Sequence, residues 1–127
     1  MIVKEGKRQY TQAKRTSTGE ALARVADVTT GLRDLMIHHL MLSPGHRCSP
    51  RHYHSSREEF MYVLAGTPTL IVNDAKTVLA VGDGVSFPPV EGVFHAIVNE
   101  SAAPVMLLEV RSMPEDDAIT FDAAEMG

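Results

Sequence analysis

The residues of this 127-residue chain that could do chemistry are concentrated in two short segments. The first runs Gly45-His46-Arg47-Cys48-Ser49-Pro50-Arg51-His52-Tyr53-His54-Ser55-Ser56-Arg57-Glu58-Glu59-Phe60. Two histidines separated by one residue project from the same face of an extended backbone, because side chains alternate with period two. His52 and His54 can therefore grip one ion. A carboxylate four or five residues later, Glu58 or Glu59, stands at the start of an apolar strand and can complete the site after one tight turn. The second segment, Gly82 to Asn99, supplies His95 on a strand of its own. Three imidazoles and one carboxylate make a mixed nitrogen/oxygen donor set for one divalent transition metal per chain, and Fe, Mn, Ni, Zn and Cu all fit it. With open coordination positions, such an ion polarises a carbonyl or carboxylate, activates a bound water or, as iron, binds dioxygen.

The remaining reactive side chains carry weaker signals. His38 and His39 are neighbours in a strand, so one faces in and one out, and both are read as satisfied core or interface histidines rather than further ligands. His46 is assigned to a surface loop. Cys48 has no evident base beside it and is given no role. Arg47, Arg51 and Arg57 flank the histidine pair and offer guanidinium forks to an anionic substrate group, with Arg47 and Arg51 taken as pocket candidates. No general base stands out. Glu109 and Arg111 reach the site only if their strand turns that face inward.

The two segments resemble the signature motifs of the cupin superfamily, in particular its small single-domain members. The family pattern is a glycine, a His-x-His pair, a glutamate and a further glycine, then a second block of glycine, proline, glycine, histidine and asparagine. Gly45, His52, His54, Glu59 and Gly66 match the first block, and Gly82, Pro88, Gly92, His95 and Asn99 match the second. Glu59 rather than Glu58 keeps the family's six-residue interval before Gly66. The loops between Gly45 and His52 and between Pro88 and Gly92 are longer than in the family pattern, which touches the pocket rim rather than the ligands. The resemblance implies an all-β fold, a double-stranded β-helix of the jelly-roll kind, with metal ligands His52, His54, Glu59 and His95.

The elements that must position these ligands are short apolar runs between turn residues, the spacing of a β-sandwich or barrel. Strands are expected at 22–27, 34–42, 59–64, 69–72, 77–81, 85–87, 94–98, 105–111 and 118–121, with helix as an alternative at 19–28 or 114–125. Breaks fall at Ser43-Pro44-Gly45, Gly66-Thr67-Pro68, Asn73-Asp74-Ala75-Lys76, Gly82-Asp83-Gly84 and Pro88-Pro89, where Gly, Pro, Asn and Asp have turn chemistry. Residues 1–19 read as a polar arm and 20–127 as a single barrel domain. With Glu59 and His95 inward, Met61, Val63, Ile71 and Ile97 are expected to line the pocket. Phe60, Tyr62 and Leu64 then point outward, and an apolar outer face asks for a cover. A second copy of the chain is the expected cover, giving a homodimer, with the terminal segments as the alternative.

Composition narrows the classes further. A chain of this length suits one domain. The lone Cys48 forms no internal disulfide, and with no signal-peptide pattern a cytoplasmic protein is expected. The longest apolar run, Phe60 to Ala65, is far short of the roughly 20 residues of a membrane span. Net charge −4 argues against a dedicated nucleic-acid binder. That charge is uneven: residues 1–33 carry seven Lys/Arg against three Asp/Glu, and the acidic C-terminus is expected to pair with this basic arm over the barrel. These readings converge on a metal-dependent enzyme acting on a small oxygenated molecule, of dioxygenase, lyase or isomerase type. The alternative is a non-catalytic ligand-binding or sensing barrel.

Overall fold

The structure, a computed structural model, describes residues 1–29 and 31–126. Ten strands form two antiparallel sheets that face each other. The first sheet has the order β1 (Arg24–Asp27), β2 (Leu35–Leu42), β9 (Val105–Ser112), β4 (Glu59–Ala65), β7 (Gly84–Phe87). The second runs β10 (Ile119–Phe121), β3 (His52–His54), β8 (His95–Val98), β5 (Thr69–Val72), β6 (Ala75–Val78). This is the jelly-roll barrel expected from the strand spacing and the motifs. The only helical pieces among the described residues are a 3-10 turn, Glu5–Lys7, and one turn of α-helix, α1 (Ala123–Met126). None is long and apolar enough to cross a membrane.

Period-two alternation sets what each strand buries. In β4, Glu59, Met61 and Val63 are buried while Phe60, Tyr62 and Leu64 are exposed. In β9, Val105, Leu107 and Glu109 are buried and alternate with half-buried residues. Leu40, Leu42, Val63, Ile97, Val105 and Leu107 close one end of the barrel as a packed core. Gly66 ends β4 with φ +85°, and a Cβ there would lie 2.6 Å from the Pro104 carbonyl oxygen. Only glycine satisfies both the left-handed backbone and that close approach.

Two local expectations are corrected. The β5–β6 hairpin turns on two residues rather than four: Val72 pairs with Ala75, and Asn73 takes φ 51°, which asparagine tolerates. The sixth strand therefore spans Ala75–Val78 rather than 77–81. Among the described residues the acidic C-terminus is paired, but not with the basic arm. Asp122 and Glu125 bind Arg47 and Arg51, at 2.9 to 3.0 Å. The arm instead runs along β1, where the Thr11 amide donates to the Val25 carbonyl at 2.9 Å and the Tyr10 hydroxyl meets His39 Nδ1 at 2.7 Å. Phe60, Tyr62 and Leu64 on β4 are each 37–40% exposed.

Candidate metal centre

The four expected ligands come from both sheets. Glu59 opens β4 in the first sheet, and His52, His54 and His95 lie in β3 and β8 of the second. Cross-strand pairing sets His52 opposite His95. All four residues are 6% exposed. One nitrogen from each of His52 and His54 and one oxygen of Glu59 lie within 4.8 Å of one another, a cluster able to hold a metal ion. The His54 Nε2 to Glu59 Oε1 distance is 2.5 Å, and His52 Nε2 is 3.7 Å from the same oxygen. The His95 ring lies beside the cluster, 4.6 Å from the His52 ring and stacked on Phe87 at 4.0 Å. Its Nε2 is buried without a hydrogen-bond partner among the described residues. An unpaired buried imidazole nitrogen is costly unless a ligand satisfies it, so the donor set fits a metal. Glu58, by contrast, is exposed.

The ring tautomers follow from the partners. His54 Nδ1 is 2.7 Å from Asp117 Oδ2. Burial raises the Asp117 pKa, but hydrogen bonds from the Arg57 and Ser56 amides and from His54 outweigh it and lower it to about 2. At neutral pH that carboxylate only accepts, so Nδ1 keeps its proton and, with a metal in the site, Nε2 is the His54 nitrogen that would give its lone pair to the ion; without one, Nε2 meets the Glu59 carboxylate as a donor. His52 Nδ1 lies 2.9 Å from the Pro50 carbonyl oxygen, which also only accepts, and 3.0 Å from Ser49 Oγ. The same reasoning makes Nε2 the His52 nitrogen that would bind the ion. Burial pushes the Glu59 carboxyl up, but the adjacent imidazoles, His52 foremost, hold it below its ordinary value. For His95, burial and the charge of His52 lower the pKa to about 4, so the ring is neutral at pH 7.

A cavity of about 360 Å³ adjoins the ligands. Met61 and Ile97 line it, as do Leu40, Cys48 and Phe87. Three polar residues on the first sheet also line it: His38, Glu109 and Arg111. The register explains their arrangement. One rank across the sheet is Met36, Arg111, Glu59 and Phe87, and the next is His38, Glu109, Met61 and Val85. His38 Nδ1 is 3.2 Å from Glu109 Oε1, and Arg111 Nε is 3.5 Å from the same oxygen. Arg57 lines the cavity as well. Cys48 does too, but burial raises its thiol pKa well above the ordinary value, so it is inert.

Four pocket expectations are corrected. Arg47 and Arg51 precede the inward-facing Cys48 and His52, so alternation sends them to the opposite face, where Glu20, Asp122 and Glu125 neutralise them. Val63 points inward but is sealed in the packed core, two residues beyond Met61. Ile71 lies on the other face of β5, because Leu70 is the residue paired with inward Ile97. Asn99 of the second motif is fully buried and stays out of the cavity. Its Nδ2 donates to the Leu42 and Ala103 carbonyls and its Oδ1 accepts from Ser101, which orders the loop into β9. Asp117 was visible in the sequence only as one of several acidic residues near the C-terminus. His38, Glu109 and Arg111 had a detectable signal: they share the period-two face of Leu40, Leu107 and Val105 in otherwise apolar strands.

Comparison with known proteins agrees with this fold. A search of curated proteins found no match. Among solved structures, the chain superposes on a protein from Acidithiobacillus ferrooxidans provisionally described as a sugar phosphate isomerase, with TM-score 0.82, 24% identity, and coverage of 94% of this chain and 80% of that one. A cupin-superfamily sugar phosphate isomerase from Silicibacter pomeroyi gives TM-score 0.76 at 25% identity, over 80% of this chain and 66% of that one. The polyketide cyclase RemF from Streptomyces resistomycificus gives 0.79 at 17% identity, over 99% and 89%. The cupin-domain family matches residues 38–111, more than half of the chain and all four ligand positions, and the chain belongs to that family.

Proposed function

We propose that the chain is a metal-dependent enzyme that binds one divalent transition metal through His52, His54, Glu59 and His95 and moves protons on a small oxygenated organic molecule. The convergence of the His52, His54 and Glu59 donor atoms within 4.8 Å beside a 360 Å³ cavity carries this reading. When bound, the metal supplies a Lewis acid that draws electrons from a ligand oxygen. Proton transfer belongs to His38 and Glu109. The contact with Glu109 orients the His38 ring and leaves its other nitrogen to exchange a proton with the bound molecule. Taking a proton from a carbon beside a carbonyl and returning it to the adjacent carbon, while the oxygens exchange the complementary proton, is redox-neutral. This dyad supports isomerase or lyase chemistry over oxygenation, and two similar structures are described as sugar phosphate isomerases. Leu40, Met61, Phe87 and Ile97 shield the reacting carbons from water.

The test is deuterium exchange in D2O followed by NMR, with metal-loaded protein and a panel of sugar phosphates and 2-oxo acids. A responding compound gains deuterium next to its carbonyl, and His52→Ala and His38→Gln each abolish the gain. Saturable binding with neither exchange nor product makes the barrel a binding module instead.

For assembly, we propose that a second copy of the chain covers the exposed Phe60, Tyr62 and Leu64. These side chains form an apolar strip on the outer face of β4, each 37–40% exposed.

A further inference from the structure

We infer that Arg57 and Arg111 form a subsite for an anionic group, a carboxylate or a phosphate, on the molecule that fills the cavity. The inference deepens the proposed function and rests on the same cavity. Its basis is a contrast among the arginines around the site. Arg47 and Arg51 are each matched by at least two carboxylates at 3.5 Å or less. Arg57 lines the cavity and makes no ion pair among the described residues, and its Nε is buried without a hydrogen-bond partner. Arg111 also lines the cavity, with its side chain 24% exposed. Its Nε likewise lacks a hydrogen bond, and Glu109, 3.5 Å away, is shared with His38. Among the described residues the one hydrogen bond of its guanidinium goes to the Met36 sulfur at 2.7 Å, and a thioether is a weak acceptor.

A guanidinium withdrawn from water without full compensation is costly, and a ligand that supplies the missing acceptors recovers that cost. The planar fork of arginine matches the paired oxygens of a carboxylate or phosphate. Position favours the same reading. Arg111 is the cross-strand neighbour of Glu59 in the first sheet, and Arg57 lies in the β3–β4 loop two residues before Glu59. With two arginines facing Glu59 and Glu109, the cavity polar groups alone are balanced, and a divalent metal makes the site positive in a chain of net charge −4. An anion bound there has one end at the guanidinium pair and its remaining oxygens near the histidine cluster.

The test is an NMR-monitored titration with inorganic phosphate and, separately, glycolate, run on metal-free and on zinc-loaded protein. The two probes tell the phosphate source from the carboxylate. At least one anion should bind the wild type in both forms, and Arg57→Gln and Arg111→Gln should each weaken it about tenfold or more. Arg111→Lys, which keeps the charge, should retain part of the affinity and guards against a folding artefact read by circular dichroism. Arg33→Gln, at a solvent-exposed residue, should change nothing. No binding to the wild type, equal affinity in the two cavity variants, or an equal loss in Arg33→Gln would overturn the subsite. Zinc content measured on the same samples is a separate readout. A wild type that takes no zinc contradicts the metal centre, while the arginine dependence in metal-free protein still decides the subsite.

Discussion

Asp117→Asn isolates the part of the site that sets metal affinity. Asp117 uses both oxygens: Oδ1 accepts from the Ser56 and Arg57 amides at 3.0 and 2.9 Å, and Oδ2 lies 2.7 Å from His54 Nδ1. An asparagine that keeps its oxygen on the two amides turns its NH2 toward His54. That group only donates, so His54 Nδ1 must become the acceptor and the ring proton moves to Nε2, the atom that faces Glu59. The flipped amide restores the His54 tautomer but sets NH2 against two N–H donors. Either way the metal-binding form is penalised. Loss of such an outer partner costs about 10–100-fold in metal affinity, or about 1.4–2.7 kcal/mol. Because the asparagine retains the backbone bonds, its melting temperature should fall far less than that of Asp117→Ala. The alanine strands two amide donors, at about 1–3 kcal/mol each if they stay dry. The assay is Zn2+ competition against a fluorescent chelator, with thermal melts of the metal-free proteins alongside. Zinc affinity of Asp117→Asn within twofold of wild type would refute the tautomer argument.

Three other outcomes follow from the geometry. Gly66→Ala and Gly92→Ala share a left-handed backbone, but only the first places its Cβ 2.6 Å from a carbonyl oxygen, the second meeting open space. Denaturant melts should show about 1–3 kcal/mol lost at Gly92 and a clearly larger loss at Gly66, and equal losses would contradict the close approach. Metal-free protein should lose stability as pH falls from 6.5 toward 5. The unfolded chain protonates His95 near 6.5, whereas the folded ring resists until about 4, so the unfolded state binds more protons across that window. His39, lowered chiefly by burial, acts in the same direction. His95→Gln should therefore flatten the fall in melting temperature without abolishing it, and an unchanged slope would count against the buried neutral ring. Leu64→Glu should turn a dimer into a monomer in sedimentation velocity, and a monomeric wild type would remove the proposal for that face.

The barrel was legible because its strands are short, apolar and separated by turn residues, and because period two fixes the shared face of His52 and His54 from spacing alone. The same rule correctly turns Met61 and Ile97 inward. Applied to the loop residues it would have turned Arg47 and Arg51 outward, once Cys48 and His52 were known to face in. Their partners Glu20, Asp122 and Glu125 are remote in sequence, so the charge match that holds them was not visible locally. Ile71 was misplaced because the face of β5 depends on its register with β8, which no local pattern in Thr69–Val72 specifies. The His38–Glu109 pair depends on β2 and β9 being neighbours in the sheet, 71 residues apart in the chain. Asp117 acts through a fold-dependent contact 63 residues from His54.

The central claim is that Glu59, with the three histidines, holds one metal ion. Elemental analysis of protein purified without chelator or affinity tag tests it most directly, on wild type, His52→Ala, Glu59→Gln and Glu58→Gln. The account predicts one divalent transition metal per chain in wild type and in Glu58→Gln, whose side chain is exposed, and loss of that metal in the other two. Metal far below one per chain in wild type, or retained in full by both His52→Ala and Glu59→Gln, would contradict it.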